Sequence, residues 1–309
     1  MAMVASMRVS FRAAFQIVRA SLPLAALALT GSFAHAQDMP KKGEPAPAVT
    51  AAGTKLTEKL AGTTLAIDVV SIPGGTLKKP DPFDPTKTVE VEIKPLWMST
   101  TEVTWEVYDV FAFRLDEPES QAAAADATTR PSKPYLPADR GFGHEGYAAI
   151  SITFNAAKEF CTFMSEKTGR TYRLATRDEW EWAARCGAET DAVDAATLDE
   201  FAWHNGNSPE KTQPVAQKKP NAWGLYDMLG NVGEWTVNTD AKGRLCGGNF
   251  KTPAADIKPS LAEKQTTEWN KRDPQMPKSK WWLSDGPFAG FRIVCEPATP
   301  SPAPAGEQK

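Results

Sequence analysis

The stretch Asn221-Ala222-Trp223-Gly224-Leu225-Tyr226-Asp227-Met228-Leu229-Gly230-Asn231-Val232-Gly233-Glu234-Trp235 limits the possible folds of this 309-residue chain more than any other segment. Glycine and asparagine open the left-handed backbone region, while tryptophan and tyrosine demand burial. So dense a mixture fits neither a regular helix nor a plain strand. It reads as an ordered, tightly bent segment with carbonyls and carboxylates turned inward, which is how a backbone-lined cation site is built.

The chain opens with the features of an export signal. Arg8, Arg12 and Arg19 form a basic start with no acid, Leu22 to Leu29 is apolar, and Ala34-His35-Ala36 fits a cleavage site before Gln37. The apolar run is well short of the roughly 20 residues that a membrane span needs. Residues 1–36 are therefore expected to be a cleaved signal peptide, leaving a periplasmic or secreted protein with no membrane span. Cleavage removes three Arg and no acid, so the net charge moves from −3 to −6. That balance argues against a nucleic-acid partner. Residues 37–60, rich in Pro, Ala, Lys and Gly, read as a flexible linker, and residues 297–309, rich in Pro and Ala, read as a disordered tail. Residues 61–296 remain for one large domain.

Four cysteines survive cleavage: Cys161, Cys186, Cys246 and Cys295. An even count in an oxidising compartment favours two disulfides, with three pairings open. No C-x-x-C occurs and only His144 and His204 remain, so zinc is not expected.

Asn155 is placed as the N-cap of a helix running to about Thr168, with Gly169 as its left-handed stop. Thr176-Arg177-Asp178-Glu179 is a capping box that opens a second helix, closed by Gly187. A third begins at Thr104 and buries Val107, Tyr108 and Phe111. Leu65 to Ile72 and Thr88 to Ile93 alternate like paired strands around a Pro-rich loop. Beyond residue 187 the signals are turns. The fold class read from this is α+β, a single domain with little regular secondary structure.

These pieces, in this order, resemble the formylglycine-generating enzyme family, also called sulfatase-modifying factors. The motifs are Val70-Ser71-Ile72-Pro73-Gly74-Gly75-Thr76, Thr101-Glu102-Val103-Thr104, Tyr172 to Ala183, Asn221 to Trp235, Gly247-Gly248-Asn249-Phe250 and Gly290-Phe291-Arg292. The resemblance implies a fold similar to C-type lectins. It also implies an oxidase that converts one Cys of a Cys-x-Pro-x-Arg segment in sulfatases to formylglycine, through a cuprous ion held by two cysteines. Thiolates suit that ion. Counting from the two glycines, the cysteine slots fall at Thr252 and Ile257, and Asn249 stands where the family has Ser. Copper is therefore not expected here. The family pattern pairs Cys161 with Cys295, which leaves Cys186 with Cys246. It also assigns Ca²⁺ to positions matching Asp227, Gly230, Val232 and Glu234, all hard oxygen donors. A second family calcium site, near Phe201 to Asn207, is shortened and is not expected.

Trp180, Trp182, Trp223 and Trp235 read as core rather than a ligand-stacking cleft. Arg292 reads as a buried salt-bridge partner, and His144 as an exposed loop residue with a possible acid–base role. A groove bounded by Asn249, Phe250, Trp281 and Trp282 is expected to take an extended peptide of a sulfatase-like polypeptide, or a glycan. The leading expectation is an exported, calcium-stabilised binding or scaffold domain without oxidase activity, and the alternative is the oxidase proper. An iron enzyme of sulfur chemistry is disfavoured by the two remaining histidines.

Overall fold

The computed structural model describes residues 37–118, 128–134, 136–208 and 210–298. The expected signal peptide and most of the expected tail lie outside the described residues. The strands are β1 (Gln37–Asp38), β2 (Lys55–Lys59), β3 (Ala66–Ile72), β4 (Gly75–Pro80), β5 (Thr88–Ile93), β6 (Leu96–Ser99), β7 (Tyr172–Arg173), β8 (Gly233–Val237), β9 (Gly243–Cys246), β10 (Ala262–Glu263), β11 (Ala289–Gly290) and β12 (Val294–Cys295). The helices are α1 (Trp105–Ala112), α2 (Phe154–Thr168), α3 (Arg177–Ala184) and the short α4 (Leu198–Phe201).

Three sheets result. The largest has the order β1-β2-β3-β6-β12-β7, the second β10-β9-β8-β11, and β4 with β5 form a separate hairpin. The strand at the end of the domain, β12, is inserted between β6 and β7, with Val294 opposite both Met98 and Arg173. This insertion carries Arg292 into the middle of the molecule, where it is almost fully buried. The expected pairing of Leu65–Ile72 with Thr88–Ile93 is corrected. β3 pairs with β2 and β6, while β5 turns back on β4 through the Pro-rich loop.

The helices follow their sequence signals closely. α1 starts after Thr104 and buries Val107, Tyr108, Val110 and Phe111. α3 has the full capping box, with Thr176 Oγ1 accepting from Glu179 N and Glu179 Oε2 accepting from Thr176 N. The cap of α2 is Thr153 rather than Asn155. Its hydroxyl accepts from Ala156 N at 3.0 Å, so the cap lies two residues before the expected one and the helix begins at Phe154. Gly169 ends α2 at φ 72°.

Residues 37–60 are not a flexible linker. Met39, Ala46, Leu56 and Leu60 are buried. Arg170 pairs with Glu58 at 2.8 Å and donates to the carbonyls of Pro40 and Lys41. Tyr172 adds a hydrogen bond to Glu58 at 2.8 Å. A buried guanidinium with this many acceptors fixes the segment to the sheet. The beginning of the expected tail is also tied down, with Ala298 N donating to Ala46 O. Among the described residues no helix is long and apolar enough to cross a membrane.

Candidate functional site

The bent segment is held in shape by its own side chains. Asn221 Oδ1 accepts from Trp223 N and Leu225 N, and Asn221 Nδ2 donates to Ala183 O at the end of α3. Asp227, Gly230 and Asn231 have φ of 54°, 81° and 51°. At Gly230 no other residue fits, because a Cβ would lie 2.1 Å from Trp203 O. Gly230 N donates to Gly247 O and Phe250 N to Asn231 O, which joins the segment to the Gly247-Gly248-Asn249-Phe250 turn.

Three buried carboxyls gather round one guanidinium. Arg292 donates from Nε to Glu234 Oε2 at 2.5 Å and from Nη2 to Oε1 at 2.6 Å, and Trp180 Nε1 donates to Oε2 at 2.6 Å. Arg292 also reaches the carbonyls of Ser99 and Tyr226. Glu102, from the turn before α1, accepts from Asn231 Nδ2 at 3.0 Å. Asp227 Oδ2 accepts from Ala216 N at 2.7 Å. Glu102 Oε2 and Asp227 Oδ1 are buried without a hydrogen-bond partner among the described residues. Burial, then repulsion from Asp227 and Glu234, holds the Glu102 carboxyl well above the usual carboxylate range. Burial also raises Asp227, to about 6. Three carboxylates against one guanidinium would leave uncompensated charge in the core, which protons or a cation must offset.

Of the expected calcium donors, Asp227 and Glu234 feel each other's charge within one buried cluster around Arg292. Asp227 Oδ1 is open to a cation. Glu234 is already committed to Arg292 and Trp180, so it could only share an oxygen. Among the described residues no three side chains of His, Cys, Asp or Glu converge on a metal position. A cation at Asp227 Oδ1 would have to draw the rest of its shell from main-chain carbonyls.

A groove of about 530 Å³ opens beside Asn249, walled by Lys251, Thr252, Lys258 and Phe288. Thr252 uses its hydroxyl to accept from Asn249 N at 3.0 Å, closing the turn. Ile257 is buried with Leu198 and Ala202 in a small apolar cluster. Neither cysteine slot therefore offers a metal donor to the groove. Cys246 lies on the β9 side of the glycines, its sulfur 3.3 Å from Thr236 Oγ1, and burial pushes its thiol up to about 12.

The other groove expectations are corrected. Phe250 is fully buried, edge-on to Phe142, and Trp281 is buried near Phe111. Trp282 lines a different cleft and donates to Ser132 O. Of the four, Asn249 alone lines this groove, since Phe250, Trp281 and Trp282 are packed in the core. No S–S bond joins the four cysteines in the structure. Cys186 and Cys246 are not bonded, since Cys186 contacts Ala183 O at the end of α3 while Cys246 faces Thr236. Cys161 and Cys295 are likewise unbonded, although both belong to the same core cluster. Cys161 is one turn before Ser165, whose hydroxyl donates to the carbonyl of Tyr172, the register partner of Cys295.

Sequence reading missed Glu102, Lys251, Lys258 and Phe288. Glu102 sits in Thr101-Glu102-Val103-Thr104, a family motif to which no site role was given, and an acid just before an apolar helix was the one available sign of it.

The profile of the sulfatase-modifying factor enzyme 1-like domain matches residues 56–296. The inactive C-alpha-formylglycine-generating enzyme 2 of Bos taurus is 25% identical over 232 residues, covering 57% of this chain and 72% of that protein. The chaperone protein LppX of Paenibacillus barcinonensis is 38% identical over 84 residues, 21% of this chain and 30% of that protein. The chain thus spans under a third of this chaperone. Among solved structures, Treponema denticola variable protein 1 superposes with a TM-score of 0.56 at 18% identity, covering 79% of this chain and 99% of that one. PvdO from Pseudomonas aeruginosa gives 0.53 at 24% identity, covering 80% and 99%. These likenesses establish the fold, and with the profile match over most of its length the chain belongs to the sulfatase-modifying factor family of formylglycine-generating-enzyme-like domains.

Proposed function

We propose that this chain is an exported binding or scaffold domain, periplasmic or secreted, that keeps the family fold and has lost the oxidase chemistry. One observation carries the reading. The positions where the family's thiolate pair would stand are Thr252, used to close a turn, and Ile257, used as apolar packing. Function in such folds resides in the grafted site rather than the scaffold. The similarity to a relative named as an inactive formylglycine-generating enzyme points the same way. The groove beside Asn249 is the binding surface, and its occupant is an extended polypeptide, as in a sulfatase-like protein, or a glycan.

Calcium is the stabilising ion in this reading. Asp227, the carbonyls of Gly230 and Val232, and a shared oxygen of Glu234 would hold it, and its charge would balance the buried carboxyls.

The test is incubation of the mature protein with a Cys-x-Pro-x-Arg peptide, copper and oxygen, followed by mass spectrometry. The reading expects the peptide thiol to survive, and conversion of the Cys to an aldehyde would establish the oxidase instead. Binding of the same peptide, or of a glycan panel, that is lost in Asn249→Lys would locate the ligand in the groove.

A further inference from the structure

A second cleft lies away from Asn249, between α1 and the loops at residues 133–134, 136–144 and 282. Its volume is about 340 Å³. One wall is a stack of three rings. His144 lies on Trp105 with centroids 5.3 Å apart and planes 13° apart, and Trp105 lies on Trp282 at 6.5 Å. The floor is apolar, and two of its side chains, Phe113 and Leu136, are 49% and 38% exposed.

Carboxylates bracket the outer ring of the stack. Asp109 Oδ2 is 2.7 Å from His144 Nε2, and Asp139 Oδ2 is 3.7 Å from Nδ1. Asp139 is held in place by Gly141 N, which donates to its Oδ1. Two buried polar atoms of this wall have no partner among the described residues: Asp109 Oδ1 and the indole N–H of Trp105, a residue 2% exposed. Glu106 adds negative charge nearby, and Lys133 at the rim is the opposing cation.

We propose that this cleft binds an organic ammonium carried on an aliphatic stem, with the charge beside His144 in the field of Asp109 and Asp139 and the methylenes on Phe113 and Leu136. An anion would meet two carboxylates there, and a purely polar ligand would leave the apolar floor unused. The two acids flank different edges of the imidazole rather than presenting one planar face. A compact charge with rotatable donors fits that arrangement better than a rigid guanidinium fork. Methylene stems bury readily against such a floor while the charged head stays at the acids. The unpartnered Trp105 N–H suits a carbonyl oxygen near the stem, as on the main chain beside a lysine. The chemistry is shared by a lysine side chain of a polypeptide and by a free alkylamine.

The mature chain keeps only His144 and His204, so ring resonances in NMR report on the cleft with an internal control. Nα-acetyl-lysine methylamide should shift His144 and leave His204 unmoved. The norleucine counterpart, which lacks the ammonium, should bind about tenfold more weakly or less, and Asp139→Asn should remove that preference. Phe113→Ser, at an exposed position, should weaken both compounds alike. n-Pentylamine separates the sources: weaker binding than the lysine amide marks a polypeptide ligand, and equal binding marks a small amine. No binding by either amine, equal binding of lysine and norleucine derivatives, or an unaffected Asp139→Asn with native dispersion of its spectrum would overturn the proposal.

Discussion

Glu234 and Arg292, 58 residues apart in the chain, meet as a two-point ion pair in which each side chain is 1% exposed. The pair joins β8 to the segment leading into β12, so the second sheet and the large sheet share one charged rivet. Removing one partner leaves the other buried and unpaired, which costs about 3–5 kcal/mol. Arg292→Met and Glu234→Gln should each lower the midpoint of thermal unfolding sharply. The double variant Glu234→Leu/Arg292→Met should recover part of the loss, measured by chemical denaturation.

Asp227 predicts opposite responses with and without calcium. Its folded pKa, about 6, lies above the unfolded value near 3.8. The proton-linked stability of the calcium-free protein is therefore fully present below about pH 4 and is lost as pH rises through about 6, a change on the order of 3 kcal/mol. Asp227→Asn should flatten that dependence in chelator. Calcium should raise the melting temperature near pH 7.5 and lose its effect near pH 5, where protons compete for the same oxygen. A midpoint indifferent to calcium at pH 7.5 would remove the ion from the account.

Asp116 should behave in the reverse sense. Burial pushes its carboxyl up, but Arg130 and Lys167 outweigh it and hold the group at about 2. Arg130 donates to both oxygens, at 2.6 and 3.0 Å, and also reaches the carbonyls at the end of α1. The contribution is present above the unfolded pKa near 3.8 and is lost as pH falls through about 2, worth about 2 kcal/mol. Asp116→Asn should destabilise the protein at pH 7 by that amount and have little effect near pH 2, as urea titrations at the two pH values would show.

Much of the helical frame was legible in the residues, because its signals are local. The Thr176–Glu179 box and the Gly169 stop are written within one turn of chain. Arg292 was read correctly as a salt-bridge partner because a lone arginine inside an apolar motif has few other uses. The sheet was not legible, since β12 enters between β6 and β7 from far along the sequence. The misread linker has the same cause. Pro and Ala content conceals that Leu56 and Leu60 alternate toward a sheet formed by later residues. At the groove, Trp281 and Trp282 are both buried in the main core against rings of α1, a packing that adjacency to the groove motif does not reveal.

Gly230 offers a sharp backbone test. Gly230→Ala would place a methyl against Trp203 O at a φ of 81°, for a loss of roughly 2–4 kcal/mol. Gly62→Ala, also at positive φ but with open space around it, should cost only the conformational strain, about 1 kcal/mol. Comparing the two unfolding midpoints separates the steric contribution from the conformational one.

The absence of a thiolate pair beside the groove is tested most directly by cuprous-ion capture. The reduced protein is titrated against a chromophoric Cu(I) chelator under anaerobic conditions. The account predicts that the chelator keeps its copper, because Thr252 and Ile257 supply no donor and Cys246 is a buried thiol. Stoichiometric transfer of copper to the protein, abolished by Cys246→Ser, would contradict it.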